Sequence, residues 1–401
     1  MNSSILNGIR VISFTSVWAG PWAGAVLADM GAEVIKVESN RRLDNLRYMV
    51  TLDKAETDVN RGSFNVINRG TKSCTIDVSQ PEGVTIFKDL VKVSDVVIEN
   101  FAPRVMPNLG LDYYSLKEIK PDIIMVSFSG FGGTGPEKDY IAYASTIQAV
   151  GGLNASFGYP GKDPALEAIY TADPIASMYA VLSVLSALYF RHTTGKGQYV
   201  DISECEALIT TLPEVVLEYT MNGRKRPRMG NRDDSMAPHG CYPCKGRDKW
   251  IAIAVDNGES WQSLCTIMGN PEWSKDKRFS DQYGRWQNQE ELDKNIAVWT
   301  RNFTHYDLMQ KLQDVGIAAG PSFNIEELVN DPHIKERKAI IEQNHPVAGK
   351  TFVYRSPWTS SETIYNPPAP CLGEHNKYVF MELLGISEQE LTDLIDRKVI
   401  Y

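Results

Sequence analysis

Apolar and polar positions alternate along the first 130 residues in a repeating order: a short Val/Ile-rich run, a longer stretch of helical period, then another short run. IRVISFTS reads as a buried strand, PWAGAVLADMG as a helix stopped by Gly31, and AEVIKVE as the next strand. The polar stretch over about 39–70 predicts no regular element. SCTIDV and DVVIEN then read as strands flanking PEGVTIFKDLVKVS, a helix opened by Pro81. SLKEIKP is a short helix, and DIIMVSFSG is a further strand. Strands this apolar suit burial on both faces, and the strand–helix–strand repetition predicts an α/β fold with an open, doubly wound parallel sheet.

Past Gly130 the glycine-rich FGGTGPEKD leads into the apolar YASTIQAVGGL and a long helix over about 174–192, closed by TTGKG. QYVDISECEALIT follows as strand then helix. From about Thr220 the basic, turn-rich NGRKRPRMGNRDDSM marks a crossing into a second domain, with WIAIAV as a strand and helical patterns over 261–315. GIAAGPSFNIEELVNDP reads as a return linker. The tail ends in two amphipathic helices, the second opened by Ser387 with Glu390 three residues on, a capping-box spacing. The expected organisation is a large domain over 1–220, a smaller α+β domain over 221–325, and a segment over 326–401 that completes the large one.

Composition narrows the function. A chain of 401 residues with 43% hydrophobic and 23% charged residues is globular and long enough for more than one core. Lys+Arg number 41 against 50 Asp+Glu, a net charge of -9, which leaves no basic footprint for nucleic acid or an anionic membrane. No unbroken apolar run approaches the ~18–20 residues of a membrane span. The opening MNSSILNGIRVISF lacks the layout of a signal peptide. Six scattered cysteines are too few for a disulfide scaffold, and the lone CxxC of Cys241 and Cys244, with His239 near it, falls short of a zinc set. These features describe a reduced, cytoplasmic protein that holds no metal.

The common catalytic patterns are missing. Gly20 and Gly24, with Pro21 and two tryptophans between and beside them, do not make GxGxxG, although Glu38 at the end of the second strand would suit a ribose hydroxyl. FGGTG has no Lys-Ser/Thr pair after it, and neither GxSxG nor HExxH occurs. An enzyme with this inventory needs a nucleophile that works without a base. A carboxylate fits, because an ordinary Asp, with a pKa of about 3.9, is already ionised at pH 7. Asp173 is the candidate. It stands immediately before Pro174 and an apolar helix, where the pattern alone reads first as an N-cap with Pro at the first helical position.

Eight segments supply further context: WAGPWAGAVLADMGAEVIKVE, FNVINRGTKSCTIDVSQPEG, VIENFAPRVMPNLGLDY, SGFGGTGPEKD, TIQAVGGL, TTGKGQYVDIS, APHGCYPCKG and PAPCLGEHN. In this order, over nearly the whole chain, they resemble the class III CoA-transferases, the group of formyl-CoA and crotonobetainyl-CoA transferases. The resemblance implies a Rossmann-like large domain that binds coenzyme A, with an acyl-CoA and a free carboxylic acid as substrates. It also implies a ping-pong reaction through an aspartyl anhydride and an aspartyl-CoA thioester, without ATP or metal. The family's nucleophile falls on Asp173, shortly before the helix that ends at Thr194, Gly195, Lys196, Gly197 and Gln198, and Tyr143 falls beside it. Coenzyme A positions fall on Val17, Trp18 and Ala19, on Asn100 and Phe101, of which Phe101 would stack on the adenine, and on Lys72 and Arg104 for the phosphates.

The chain departs from the family pattern in three places. Asn108 stands where many relatives have a basic residue, Ala144 where many have an acidic one, and NRDDSMAPHG lacks a run of glycines. The resemblance implies an interlocked dimer, either a homodimer or a hetero-oligomer with a paralogous subunit. YASTIQAVGGL and PRVMPNLG look most similar to relatives that use succinyl-CoA, including the benzylsuccinate CoA-transferases. Trp18, Trp22, Tyr48, Tyr140 and Tyr143 would then line a pocket for an aromatic acid. Three readings compete: an α-methylacyl-CoA racemase, which needs a paired acid and base, a non-catalytic CoA-binding subunit, and an NAD-binding enzyme.

Overall fold

The computed structural model describes residues 4–47, 62–165, 170–358 and 367–401. Two units divide the chain: Met1–Asn154, Leu166–Gly223 and Lys338–Tyr401 form the larger, and Ala155–Ala165 with Arg224–Arg337 form the smaller.

Six parallel strands build the sheet of the larger unit: β1 (Arg10–Phe14), β2 (Glu33–Glu38), β3 (Lys72–Thr75), β4 (Val96–Glu99), β5 (Ile124–Ser129) and β6 (Tyr199–Ser203). Their order is β3-β2-β1-β4-β5-β6, the doubly wound arrangement expected from the alternating strand and helix signals. Ile12 of β1 pairs with Ile35 of β2 on one side and Val97 of β4 on the other. The two-residue period of the strands sends successive side chains to opposite faces. Ile12, Ile35, Val97 and Met125 join Phe87 and Leu90 of the helix Pro81–Lys92 and, from the tail, Val379, Phe380, Leu391 and Leu394. Val11, Val34, Val96, Ile124 and Val126 face the helix Ala19–Asp29 and the Ala180, Val181, Val184 and Ala187 stripe of the helix Ala172–Thr194.

That long helix differs from the sequence expectation twice. It starts at Ala172, so Asp173 lies inside the first turn rather than at the cap, and no side chain caps the helix. Its 23 residues are also long and apolar enough, by length and composition, to cross a membrane. Asp173, Ser177, Ser183 and Ser186 interrupt the apolar run, which is why no such stretch showed in the sequence. Its small-residue stripe covers the sheet, as a core helix does. Gly195, at φ 71°, ends it in a left-handed cap.

The smaller unit has an antiparallel sheet of β7 (His239–Pro243), β8 (Trp250–Ala254) and β9 (Ala318–Pro321). Ile251, Ile253, Trp261, Leu264, Leu292, Ile296 and Leu308 form its core. Buried Arg285 donates to the carbonyl oxygens of Ala237 (2.9 Å) and Phe279 (3.2 Å). In the tail, β10 (Ile340–His345) and β11 (Gly349–Tyr354) form a hairpin that the sequence pattern did not announce. Tyr378–Leu383 is a π-helix where an α-helix was expected. Ser387 caps Glu388–Asp396 by accepting from the Glu390 amide at 3.2 Å.

Candidate active site

In a doubly wound sheet the strand order reverses between β1 and β4, which opens a crevice at their carboxyl ends. The turn after β1 is held there under strain. Val17 has φ 68°, a left-handed conformation that costs a β-branched residue about 1–3 kcal/mol. Its amide donates to Asp44 Oδ1 at 3.1 Å. The Ser16 amide donates to Asn100 Oδ1, and Asn100 Nδ2 donates back to Ser16 O, both at 2.9 Å. Asp44 is paired with Lys36 at 2.9 Å, both side chains being fully buried, and Lys36 Nζ also donates to Thr15 O at 3.1 Å. Gly20 is required at this turn, because a Cβ there would lie 2.4 Å from Thr15 Cβ.

The turn borders a cavity of about 630 Å³, within the usual range for small-molecule sites. Val17, Trp18, Ala19, Asn100 and Phe101 line it, and Tyr143 and Asp173 lie on the same wall system. Asn108 and Ala144, the positions that depart from the family pattern, line it too. Phe101 has two contacts: its ring packs edge-on against Phe14 at 4.8 Å, and it borders both this cavity and a second of about 640 Å³. Tyr143 is well exposed, and its amide donates to Thr146 Oγ1 at 2.9 Å as the helix Ala144–Val150 begins.

Two residues fall elsewhere. Lys72 is the first residue of β3, and parallel strands put first residues at the edge opposite the crevice. Its ammonium stands 3.9 Å from Glu33 and over the Tyr378 ring, so it lines neither cavity. Arg104 lines the second cavity, 3.8 Å from the Asp139 carboxylate. Trp22 packs against Tyr354 instead of lining a cavity. Tyr48 lies outside the described residues. Glu38 is not offered to a ribose, because Arg47 holds both of its carboxylate oxygens.

Three cations that the sequence reading passed over, Arg41, Arg42 and Lys138, line the main cavity and suit phosphate groups. Arg41 and Arg42 sit just past the end of β2, the one signal that could have singled them out. Glu204 was also missed, although it follows β6 directly, at the same carboxyl edge of the sheet.

Asp173 and Glu204 are both buried, both line the cavity, and neither carboxyl has a hydrogen-bond partner among the described residues. Burial pushes Asp173 up to about 6. Burial, and then the charge of Asp173, push Glu204 up to about 8. Both carboxyls therefore hold a proton more tightly than an ordinary carboxyl does, and charge on Asp173 favours the proton on Glu204. A carboxylate stripped of water and open to a cavity is equipped to attack an acyl carbon.

The family model for CoA-transferase family III matches residues 6–376. The succinyl-CoA–D-citramalate CoA-transferase of Chloroflexus aurantiacus is 35% identical over 98% of both chains. The β subunit of the succinyl-CoA–L-malate CoA-transferase of the same organism is 31% identical, again over 98% of both. The crystal structure of a CAIB/BAIF family protein from Brucella suis superposes with a TM-score of 0.85 at 33% identity, covering 95% of this chain and 99% of that one. With the matching fold, these likenesses place the chain in CoA-transferase family III, as an enzyme that transfers coenzyme A.

Proposed function

We propose that the protein moves coenzyme A from succinyl-CoA to a free carboxylic acid by a ping-pong reaction, with Asp173 as the nucleophile. The observation that carries this reading is the Asp173 carboxyl: buried, without a hydrogen-bond partner among the described residues, and facing the cavity that the cationic Arg41, Arg42 and Lys138 share. An Asp173 oxygen bonds to the thioester carbon, the carbon–sulfur bond breaks, and an aspartyl–succinyl anhydride forms with coenzyme A thiolate as leaving group. The thiolate then attacks the aspartyl carbonyl and releases succinate, leaving an aspartyl-CoA thioester. The acceptor carboxylate reverses both steps. One thioester replaces another, so no other energy source enters. Arg41, Arg42 and Lys138 meet the phosphates, and Phe101 meets the adenine.

Succinyl-CoA as donor is supported by the names of both Chloroflexus relatives. An acceptor that carries an aromatic group, of the benzylsuccinate kind, draws support from Trp18, Tyr140 and Tyr143 in the cavity lining. The working unit is a pair of chains, two copies or two related subunits. In support, the helix Pro213–Asn222 buries none of its residues and exposes Val216, Leu217, Tyr219 and Met221, and Leu182 and Tyr189 of the long helix are exposed as well.

A screen of free acids against succinyl-CoA, with mass detection of new thioesters, tests the substrates. Activity confined to short aliphatic acids removes the aromatic reading. Hydroxylamine added during turnover should modify Asp173. Asp173→Ala should lose at least about 10³-fold in exchange rate. Full exchange by that variant would overturn the assignment.

A further inference from the structure

We propose that Glu204 is a second catalytic carboxyl, which gives its proton to the departing coenzyme A sulfur and takes it back when the sulfur returns. The proposal rests on the reading of Asp173 as nucleophile and assigns the same site a second group. Glu204 opens the helix Glu204–Ile209, which packs against the helix that carries Asp173. Capping of that short helix falls to Ser203, whose Oγ accepts from the Glu206 amide at 3.2 Å, so the Glu204 side chain has no structural duty there. At 7% exposure it is nonetheless turned into the cavity without a hydrogen-bond partner among the described residues. A buried carboxyl left unpaired costs stability, and a position needed only for packing would hold an apolar residue.

Charged and titratable groups near it among the described residues include the following. Asp173 faces it from the long helix. Tyr143, at the start of the helix Ala144–Val150, lines the same cavity. Asp201 of β6 is occupied with the Gly133 amide at 2.8–2.9 Å, and Glu206 lies on its own helix. The charge of Asp173 is the electrostatic influence that reaches Glu204, in addition to burial.

This makes the two carboxyls reciprocal. When Asp173 bonds to the acyl carbon its charge disappears, so the influence that held the Glu204 proton is withdrawn as the thiolate forms. The proton moves from Glu204 to sulfur, which as a thiol is a weaker acid than a carboxyl. Asp173 anion with protonated Glu204 becomes neutral acyl-Asp173, Glu204 anion and free thiol. The group carries one negative charge before and after. When the sulfur attacks the aspartyl carbonyl, Glu204 withdraws the thiol proton, the anhydride carbon–oxygen bond breaks, and succinate departs as the anion.

Glu204→Gln keeps size and burial but has no acidic proton. It should lower kcat by about 10²-fold or more, leave KM for succinyl-CoA within about threefold, and remove the alkaline limb of kcat expected near pH 8. Hydroxylamine should still label Asp173 in the variant, at a lower rate. A kcat within about threefold of the parent with the same alkaline limb would overturn the proposal. Infrared spectra of the unsubstituted enzyme give a second readout that needs no variant: a protonated-carboxyl band present at pH 6 should bleach with a midpoint near 8. Absence of any such band also overturns it. If the unsubstituted enzyme neither exchanges coenzyme A nor is labelled at Asp173, the transferase reading itself fails. If it does both while Glu204→Gln is unaffected, only this proposal fails.

Discussion

The two rims of the cleft both bury charge, and they treat it in opposite ways. On the β2 side, Lys36 meets Asp44 at 2.9 Å and Arg47 meets Glu38 at 2.7 Å, with each side chain at 2% exposure or less. Arg47 also stacks over Phe64, 3.6 Å from the ring centre. On the β6 side, Asp173 and Glu204 are also buried, line the cavity, and have no hydrogen-bond partner for their carboxyls among the described residues. Paired groups hold the loops after β1 and β2 in place, whereas Asp173 and Glu204 leave their carboxyl oxygens open to the cavity. The difference shows in their titration. Burial raises Glu38, but Lys36 and Arg47 outweigh it and hold the carboxyl below its ordinary range. Asp173 and Glu204 meet no such cation among the described residues and are raised.

Removing one member of a pair should have the largest effect on stability. Glu38→Ala leaves Arg47 charged and buried, and should cost about 3–5 kcal/mol in denaturant unfolding. A loss below about 1 kcal/mol would show that the β2 rim is not held by its ions. In the intact protein, Glu38 contributes stability above its ordinary pKa, and that contribution is lost as pH falls through the depressed folded value.

The opposite rim should respond with the opposite sign. Asp173 has its folded pKa raised to about 6, so the native state holds its proton longer than the unfolded chain does. Stability contributed by this group falls as pH climbs from its ordinary range through 6, and the full penalty is present above that. Asp173→Asn should therefore raise the melting temperature by a few degrees at pH 8 and change it little at pH 4. Equal shifts at both pH values would mean that the carboxylate is not buried unpaired.

Phe101 should give the smallest effect. Phe101→Ala should raise KM for the CoA donor by about tenfold or less while kcat stays near that of the parent, since the ring supplies stacking area and no chemistry. A fall in kcat alone would place the ring at the reacting atoms.

The sheet was legible because its strands are short, Val/Ile-rich and separated by helical periods, so order and burial follow from local pattern. Asp173 was singled out only by its place among the family's segments, and its local signal, Asp before Pro, pointed to a cap that the helix does not use. The stretch from Ser39 onward predicted nothing, although Asp44 and Arg47 within it complete the buried pairs that shape the cleft. Lys72 looked suitable as a cation until strand direction put it at the far edge. Glu204 carried no motif at all.

By itself, the order of residues determined the α/β class, the course of the parallel sheet and the edge where a ligand would sit, because periodicity and strand ends are local properties. The tertiary structure decided which charges are neutralised. Whether a buried carboxyl meets a guanidinium or another carboxyl depends on residues from distant parts of the chain, as with Asp173 and Glu204, and that encounter sets its proton affinity.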